Sequence, residues 1–461
     1  CPCGFVHHGL RHAVAAGGLC MEYGLIGASL SHSFSKPIHE SLCGYSYELH
    51  PLPTQADFDA FLRARDFKAV NVTIPYKQAV MPYCDKLDAR AAAVGAVNTL
   101  VNRGGALYGY NTDYAGFLYL AARTNVCFAG KHVMILGTGG TQHTVRAVVT
   151  DAGAASVTLV SRTPQTAREI PPVGAADGKT AGTPAVRSIS YADVPLCTQT
   201  QILINTTPAG MYPNNDTAAL SLSSGILPRL EAVLDTVYNP LRTRLVLDAQ
   251  ARGLRAAGGL AMLVAQAKYA AEIFTGSALP ESEIARILRE MTQQRTNLIL
   301  IGMPGSGKSC VGRQAAALLH RPFLDLDAEL VARAGKSIAD IFAQEGEEAF
   351  RLLETQLCMI LGRETGRVIS TGGGTILRDE NVRALRQNGV LLALDRPLEA
   401  LQTGGGRPLS ANAAAVAALY KARAPLYRAA AQRIVPNRTS PEAAARATKE
   451  AFDEIIDSER A

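Results

Sequence analysis

An α/β fold is predicted for this chain from three observations. Short runs of Val, Ile and Leu alternate with longer helix-like stretches along most of the sequence. Two of those runs pass straight into a glycine turn and then a helical stretch, the arrangement by which parallel sheets hold phosphate groups. The 461 residues, at about 150 per domain, leave room for roughly three domains. Composition narrows the function classes. Hydrophobic residues at 48% against charged residues at 19% exclude a disordered chain or a small disulfide scaffold. Lys+Arg 46 against Asp+Glu 40 leaves +6, too dilute for a nucleic-acid stripe but suited to small anionic ligands. Trp is absent and aromatics are 6%, which gives a base-stacking surface little support. Nine scattered cysteines without a CxxC pair offer neither a zinc cage nor a redox motif, and a reducing cytoplasm is the simplest setting. No apolar run reaches the length of about 18 residues that spans a bilayer, so small molecules are the expected partners, not nucleic acid or membrane.

In chain order, residues 1–20 lack helical or strand period, and Gly17 and Gly18 break the apolar stretch a secretory signal needs. They are expected to be a tail. A clean strand, Tyr23–Gly27, follows Met21. Val70–Ile74, Val133–Leu136, Val157–Val160, Ile202–Ile204 and Val233–Leu234 are further candidate strands, and 171–184, rich in Pro, Gly and Ala, reads as a surface loop. Glu281–Glu290 is a charged helical stretch. A new α/β unit opens at Leu298, which places the main boundary near residue 294.

The strongest local signal is Gly302-Met303-Pro304-Gly305-Ser306-Gly307-Lys308-Ser309, after the strand Leu298–Ile301 and before a helical run through Leu319. This is GxxxxGK[ST] in its strand–loop–helix context. Glycines let backbone N–H groups turn toward an anion, Lys308 can reach β/γ-phosphates, and the Ser309 hydroxyl can join a Mg²⁺ shell. Asp325 and Asp327, two apart after Pro322-Phe323-Leu324, would face one cleft on a strand, one for metal and one for a substrate hydroxyl. Gly372-Gly373-Gly374 after Val368–Thr371 permits close approach of a ligand or serves as a flexible turn.

The second glycine turn, Gly137-Thr138-Gly139-Gly140, follows Val133–Leu136 but is not GxGxxG, because Gln142 stands at the third position. The next strand ends in Ser161-Arg162-Thr163, without the acid that holds an NAD ribose. A cation there suits a 2′-phosphate, so NADP is favoured; Arg168 is either a second contact or a solvated helix residue. His32-Ser33-Phe34-Ser35 would put two serines on one face if extended, suited to a carboxylate. Asn98 and Thr99 lie inside an apolar strand-like run, Gly95–Leu100, where a polyhydroxylated ligand could partner them. Lys77 and Asp113 carry no signal alone.

With these pieces in hand, residues 22 to about 290 closely resemble shikimate dehydrogenase: GASLSHSFSKPIH (27–39), NVTIPYK (71–77), GAVNTL (95–100), GYNTD (109–113), ILGTGG (135–140), SRT (161–163), NTTPAGM (205–211), DTVYNP (235–240) and GGLAMLVAQA (258–267). Residues 297–440 resemble shikimate kinase: GMPGSGKS (302–309), FLDLD (323–327), SIADIFAQEGEEAFRLLE (337–354), STGGG (370–374), RPL (407–409) and RAPLY (423–427). The first resemblance implies that Ser33 and Ser35 bind the substrate carboxylate, that Thr73, Asn98 and Gln266 bind ring hydroxyls with Tyr238 nearby, and that Lys77 and Asp113 are the catalytic pair. It further implies that Gly137, Thr138, Gly139, Gly140, Arg162 and Thr163 bind NADP(H), with Met211 and Gly259 near the nicotinamide. The second implies that Gly305, Ser306, Gly307, Lys308, Ser309 and Cys310 bind ATP, Ser309 and Asp325 hold Mg²⁺, and Asp327 binds the attacking hydroxyl. Arg351, Gly373, Gly374 and Arg423 would grip shikimate, with Glu354 orienting Arg351.

The implied architecture is a two-lobed dehydrogenase with a Rossmann-like NADP domain, followed by a parallel-sheet P-loop kinase. Its divisions are a tail at 1–21, a substrate-binding domain at 22–122, an NADP domain at 123–257, returning helices and linker at 258–292, and the kinase at 293–461. The implied chemistry is reduction of 3-dehydroshikimate to shikimate and phosphorylation of shikimate to shikimate 3-phosphate, steps toward chorismate and the aromatic amino acids. Departures from the families are Lys36 after Ser35, Ser161 before Arg162, and Gln402 where the kinase lid usually carries an arginine; Arg407 is left to contact the phosphates. Two alternatives stand beside this reading: a dehydrogenase of the NAD-using quinate/shikimate type, and one half kept as a catalytically weak or inactive module. Monomer and homodimer are both left open.

Overall fold

The computed structural model describes residues 21–31, 33–164, 184–222, 225–401 and 413–458. Residues 1–20 of the expected tail, 171–183 of the expected loop, Arg168, and the lid residues Gln402 and Arg407 lie outside these residues. The described residues form three sheets. The first contains β1 (Met21–Gly27), β2 (Glu48–Pro51), β3 (Phe67–Val72), β4 (Lys86–Leu87), β5 (Thr99–Arg103) and β6 (Ala106–Tyr110), in the order β2-β1-β3-β5-β6-β4. It is mixed: β1 runs parallel to β2 and β3, while β3, β5 and β6 are antiparallel neighbours. Candidate strand Val70–Ile74 stops at Val72 because the chain turns there, with a cis Ile74–Pro75 bond. The run Gly95–Leu100 is not one strand. Gly95, at φ 71, closes the helix Ala89–Val94, and β5 begins only at Thr99, so Asn98 sits in the connection.

The second sheet contains β7 (His132–Leu136), β8 (Ser156–Val160), β9 (Ala185–Ile189), β10 (Ile202–Asn205), β11 (Ala232–Asp235) and β12 (Arg255–Ala257), all parallel, in the order β12-β11-β10-β7-β8-β9. Sequence order reverses direction between β7 and β10, and the turn Gly137–Gly140 leaves β7 at that switch point, where open α/β sheets bind ligands. These strands are near-continuous apolar runs because helices cover both faces. The third sheet, also parallel, has the order β14-β15-β13-β16-β17, from β13 (Asn297–Ile301), β14 (Phe323–Asp325), β15 (Val368–Ser370), β16 (Gly389–Asp395) and β17 (Arg433–Pro436). The phosphate loop leaves its central strand β13.

The helix Ser282–Arg295 joins the second unit to the third without an intervening loop, since β13 starts at Asn297. Ile284, Ile287, Leu288 and Met291 recur at helical spacing and are buried in the core that joins the second sheet to the helices packed on it. Its other side faces the C-terminal helix Pro441–Ser458, where Arg289 pairs with Asp457 at 2.8 Å. A second junction is polar and closed. Asn215 donates to Gln387 at 3.2 Å and receives the Gln387 amide on its carbonyl at 2.9 Å. The Leu241 N–H donates to Asn388 Oδ1 at 2.9 Å. Asn215, Gln387 and Asn388 are all buried, and these bonds satisfy the groups named, while Asn215 Oδ1 stays without a partner among the described residues.

Two candidate active sites

The first site forms where the first sheet meets the glycine turn of the second. Lys77 follows the turn after β3, and its carbonyl accepts from Val97 N–H at 2.8 Å. Asp113 opens the helix Asp113–Arg123. Lys77 Nζ donates to Asp113 Oδ2 at 2.6 Å, with only 13% and 8% of the two side chains exposed. The helix start is fixed by Asn98, whose Oδ1 accepts from Thr112 N–H at 2.8 Å, and whose Nδ2 donates to Thr112 Oγ1 at 3.0 Å and Gln266 Oε1 at 3.4 Å. Gln266 comes from the helix Leu260–Thr275, which crosses Asp113–Arg123 so closely that a Cβ on Gly116 would meet Met262 O at 2.7 Å. Across the cleft, a Cβ on Gly140 would stand 3.5 Å from Lys77 Cβ. A lysine–carboxylate pair thus faces the glycine turn of a switch point. Lys77, Asp113, Asn98 and Gln266 are brought together although they are distant in sequence.

Ser33 and Ser35 are not an extended pair. Phe34 has helical φ/ψ of −91° and 0°, and Ser35 begins the helix Ser35–Cys43, so what joins the serines is the Ser35 N–H donating to Ser33 Oγ at 3.2 Å. Phe34 packs against Tyr238 with ring centroids 5.0 Å apart. Burial raises the Tyr238 phenol above its ordinary range, and the Arg295 guanidinium works against that rise. Thr73 is tied to β1, its N–H donating to Ile26 O at 2.9 Å. At the turn, Gly137 has φ +103° and leaves no room for a Cβ beside Thr206, while Gln142 is buried where the common fingerprint has a third glycine. The helix Gly140–Asp151 starts on Gly139 without a side-chain cap, leaving its first N–H groups to a ligand. Thr138, Gly139, Arg162 and Thr163 are exposed at this edge. Met211 is 40% exposed on the loop after β10, and Gly259 is packed against Thr236.

The second site surrounds the phosphate loop. Gly307 has φ +93°, a conformation L side chains rarely adopt, and the helix Lys308–Leu319 starts directly after it. Lys308 Nζ curls back to Gly302 O at 2.9 Å and Met303 O at 3.0 Å. Ser309 Oγ donates to Asp325 Oδ2 at 2.5 Å, and Ser370 Oγ donates to the same oxygen at 2.8 Å. Burial pushes the Asp325 carboxyl up, but the two hydroxyls and the amides of Ala328 and Asp327 outweigh it and hold it below the ordinary carboxylate range. The two aspartates do not share a strand, as their spacing suggested. Asp325 ends β14 and caps the helix Leu326–Ala334, so Asp327 lies in that helix's first turn. From there Asp327 reaches the glycine run beside Glu354, since a Cβ on Gly372 would meet Asp327 Oδ1 at 2.7 Å and Glu354 Oε1 at 3.0 Å. Arg351 Nη1 donates to Glu354 Oε2 at 2.8 Å, and Thr375 Oγ1 to Glu354 Oε1 at 2.6 Å. Burial lowers the Arg351 pKa, but Glu354 and Glu347 more than compensate. Arg423 Nη1 and Tyr427 Oη both donate to Gly373 O, the first at 3.1 Å.

A Cβ on Gly374 would fall inside the Arg351 guanidinium. Gly374→Ala is therefore expected to displace Arg351 and raise KM for the phosphoryl acceptor about 10-fold or more, the cost of a disturbed charge-assisted contact, with KM for the nucleotide unchanged. Steady-state phosphorylation kinetics measure it. Several site neighbours escape sequence reasoning. Asn437 Nδ2 donates to Ser306 O at 2.8 Å, and Arg396 Nη1 would lie 3.9 Å from a Cβ on Gly307. Both arrive from strand ends remote in sequence, and a single Asn or Arg carries no spacing signal.

Comparison with known proteins assigns both parts of the chain. The family model described as shikimate dehydrogenase substrate binding domain matches residues 25–100, and that described as shikimate kinase matches residues 304–458. The shikimate dehydrogenase (NADP(+)) of Moorella thermoacetica is 36% identical over 277 residues, covering 58% of this chain and 92% of the relative. That of Symbiobacterium thermophilum is 38% identical over 269 residues, 56% of this chain and 90% of the relative. The crystal structure of shikimate dehydrogenase 1 from Peptoclostridium difficile has a TM-score of 0.52 at 29% identity, covering 58% of this chain and 97% of that one. A chorismate mutase/shikimate 5-dehydrogenase fusion from Clostridium acetobutylicum has a TM-score of 0.50 at 29% identity, with 59% and 96% covered. The chain belongs to the shikimate dehydrogenase family through its N-terminal part and carries a shikimate kinase domain behind it, which makes it a bifunctional enzyme of the shikimate pathway.

Proposed function

We propose that the two sites act in succession on one ring acid: NADPH-dependent reduction of 3-dehydroshikimate to shikimate, then ATP-dependent phosphorylation of its 3-hydroxyl. The observation that carries the reading is the pairing of Lys77 with Asp113 at 2.6 Å against the glycine turn, in the same chain as Lys308, Asp327 and Arg351 around a phosphate loop. In the first site, Gly137–Gly140 would hold NADPH, which when bound would supply the hydride that the ring carbonyl carbon takes up. The carbonyl oxygen gains a proton from Lys77 or through it, with Asp113 holding the ammonium in place. Ser33 and Ser35 take the substrate carboxylate, Thr73, Asn98 and Gln266 take ring hydroxyls, Tyr238 lines the same end, and Met211 and Gly259 border the nicotinamide.

In the second site, Arg351 and Arg423 hold the shikimate carboxylate between Gly373 and Gly374, and Asp327 accepts a hydrogen bond from the attacking hydroxyl. Gly305, Ser306, Gly307, Lys308 and Cys310 hold the ATP phosphates. The donor set suits Mg²⁺: Ser309 and Asp325 offer hard oxygen ligands 2.5 Å apart, and Mg²⁺ takes few protein ligands and completes its shell with phosphates and water. When held there, the ion neutralises charge on the transferring phosphate. The division proposed is 22–122 for substrate, 123–257 for NADP, 258–292 for returning helices and 293–461 for the kinase, in a cytoplasmic setting.

Arg162 is exposed at the end of β8, where a 2′-phosphate would lie. Arg162→Ala is expected to raise KM for NADPH by about 10- to 100-fold, the scale of a lost charge-assisted contact, and to leave KM for NADH unchanged. Cofactor titrations of the wild type and the variant test both the residue and the choice of NADP. A wild type that prefers NADH would contradict the choice.

A further inference from the structure

A cavity of about 560 Å³ opens at the carboxylate end of the first site, and its walls come from both halves of the enzyme. Ser31, Ser33 and Phe34 form one side, Tyr212 another, and Arg295 and Arg363 the side toward the kinase. Three charged residues line it: Arg295, Arg363 and Glu364. Two are already neutralised. Arg363 pairs with Asp216 at 2.6 Å, and Glu364 with Arg367 at 2.6 Å. Among the described residues, Arg295 has no carboxylate within ion-pair distance, and its buried Nε has no hydrogen-bond partner. Its guanidinium carbon stacks 3.4 Å from the centre of the Phe34 ring, the residue between Ser33 and Ser35. The stacking holds the cation against Phe34 in a cavity that Ser33 also lines, and leaves its edge donors open.

Arg295 reaches this place because two packed surfaces aim it. It is the last residue of the helix Ser282–Arg295, fixed on one side by Ile284, Ile287, Leu288 and Met291 in the dehydrogenase core. On the other side Arg289 and Gln293 reach Asp457 and Asp453 of the kinase unit. A part-buried cation without a counter-ion loses hydration without recovering it from the protein. Such an arrangement gains stability when an anion enters. The helix Ser35–Cys43 begins at the same point with no side-chain cap, which adds positive potential of the same sign.

We propose that Arg295 is a positioning residue of the dehydrogenase reaction, a cation at the entrance that draws in and orients the carboxylate of 3-dehydroshikimate beside Ser33. The proposal rests on the reading that Ser33 and Ser35 receive this carboxylate. It makes the connecting helix and the kinase-side wall parts of the first site's entrance.

The test uses the full-length chain. Arg295→Gln is expected to raise KM for 3-dehydroshikimate about 10-fold with kcat, KM for NADPH and shikimate phosphorylation unchanged, as expected for lost charge-assisted binding. The fall of kcat/KM with ionic strength should flatten in this variant and return in Arg295→Lys, which restores the charge. Ser33→Ala is measured alongside. If Ser33→Ala raises KM while Arg295→Gln changes neither KM nor salt dependence, the role of Arg295 is overturned and the serine reading stands. If neither variant changes KM, both fall. A second measurement needs no variant: arginine-specific labelling of the wild type, mapped by mass spectrometry, should modify Arg295 and be blocked by 3-dehydroshikimate. Labelling of Arg295 that saturating 3-dehydroshikimate leaves unchanged would overturn the proposal even if the Gln variant failed to fold.

Discussion

Lys77→Ala is expected to lower kcat for 3-dehydroshikimate reduction by about 10²- to 10⁴-fold, the range spanned by a positioned acid or base, while phosphorylation of shikimate continues at the wild-type rate. The size follows from geometry. Lys77 Nζ is held at 2.6 Å by Asp113 on one side and stands against the glycine turn at Gly140 on the other. Alanine removes the ammonium and leaves Asp113 buried without its partner. Losing one member of a buried pair costs up to about 3–5 kcal/mol, so stability is measured with activity. The double variant Lys77→Ala/Asp113→Asn removes the stranded charge. It should regain thermal stability without regaining reduction, which separates chemistry from folding. Recovery of reduction by the double variant would deny Lys77 its role.

Lys308→Ala should produce the opposite pattern. Shikimate phosphorylation is expected to fall by about 10²- to 10³-fold, the cost of removing one preorganised donor from developing charge, and reduction should be unaffected. Lys308 is buried and bonded to Gly302 O and Met303 O, so its ammonium is already stationed at the loop. Arginine is not expected to rescue it, because the planar guanidinium cannot replace a compact ammonium in so closed a turn. ADP release and NADPH absorbance measured on one preparation read both activities. If either lysine variant silenced both reactions in a folded chain, two independent sites would be the wrong model.

The contrast between these lysines shows what the sequence makes legible. Lys308 is readable locally, because the phosphate loop, the strand before it and the helix after it are contiguous and physically linked. Lys77 and Asp113 are 36 residues apart, and only a resemblance singles them out before folding places them together. The parallel sheets were visible as apolar runs, but the antiparallel β3-β5-β6 edge was not, since pairing direction leaves no trace in periodicity. Strand spacing misplaced Asp327, because Asp325 caps a helix as readily as it ends a strand. Nothing in the sequence singles out Arg295. Its stacking on Phe34 depends on tertiary packing across some 260 residues of sequence, which no local pattern encodes.

The central claim is that one chain reduces and then phosphorylates the same ring acid. The most direct measurement supplies the purified full-length chain with 3-dehydroshikimate, NADPH, ATP and Mg²⁺ and follows the products by mass spectrometry. Shikimate should rise and then give way to shikimate 3-phosphate, with one NADPH and one ATP consumed per molecule formed. Shikimate that accumulates without ever gaining phosphate, or 3-dehydroshikimate that persists beside unspent NADPH, would contradict the account.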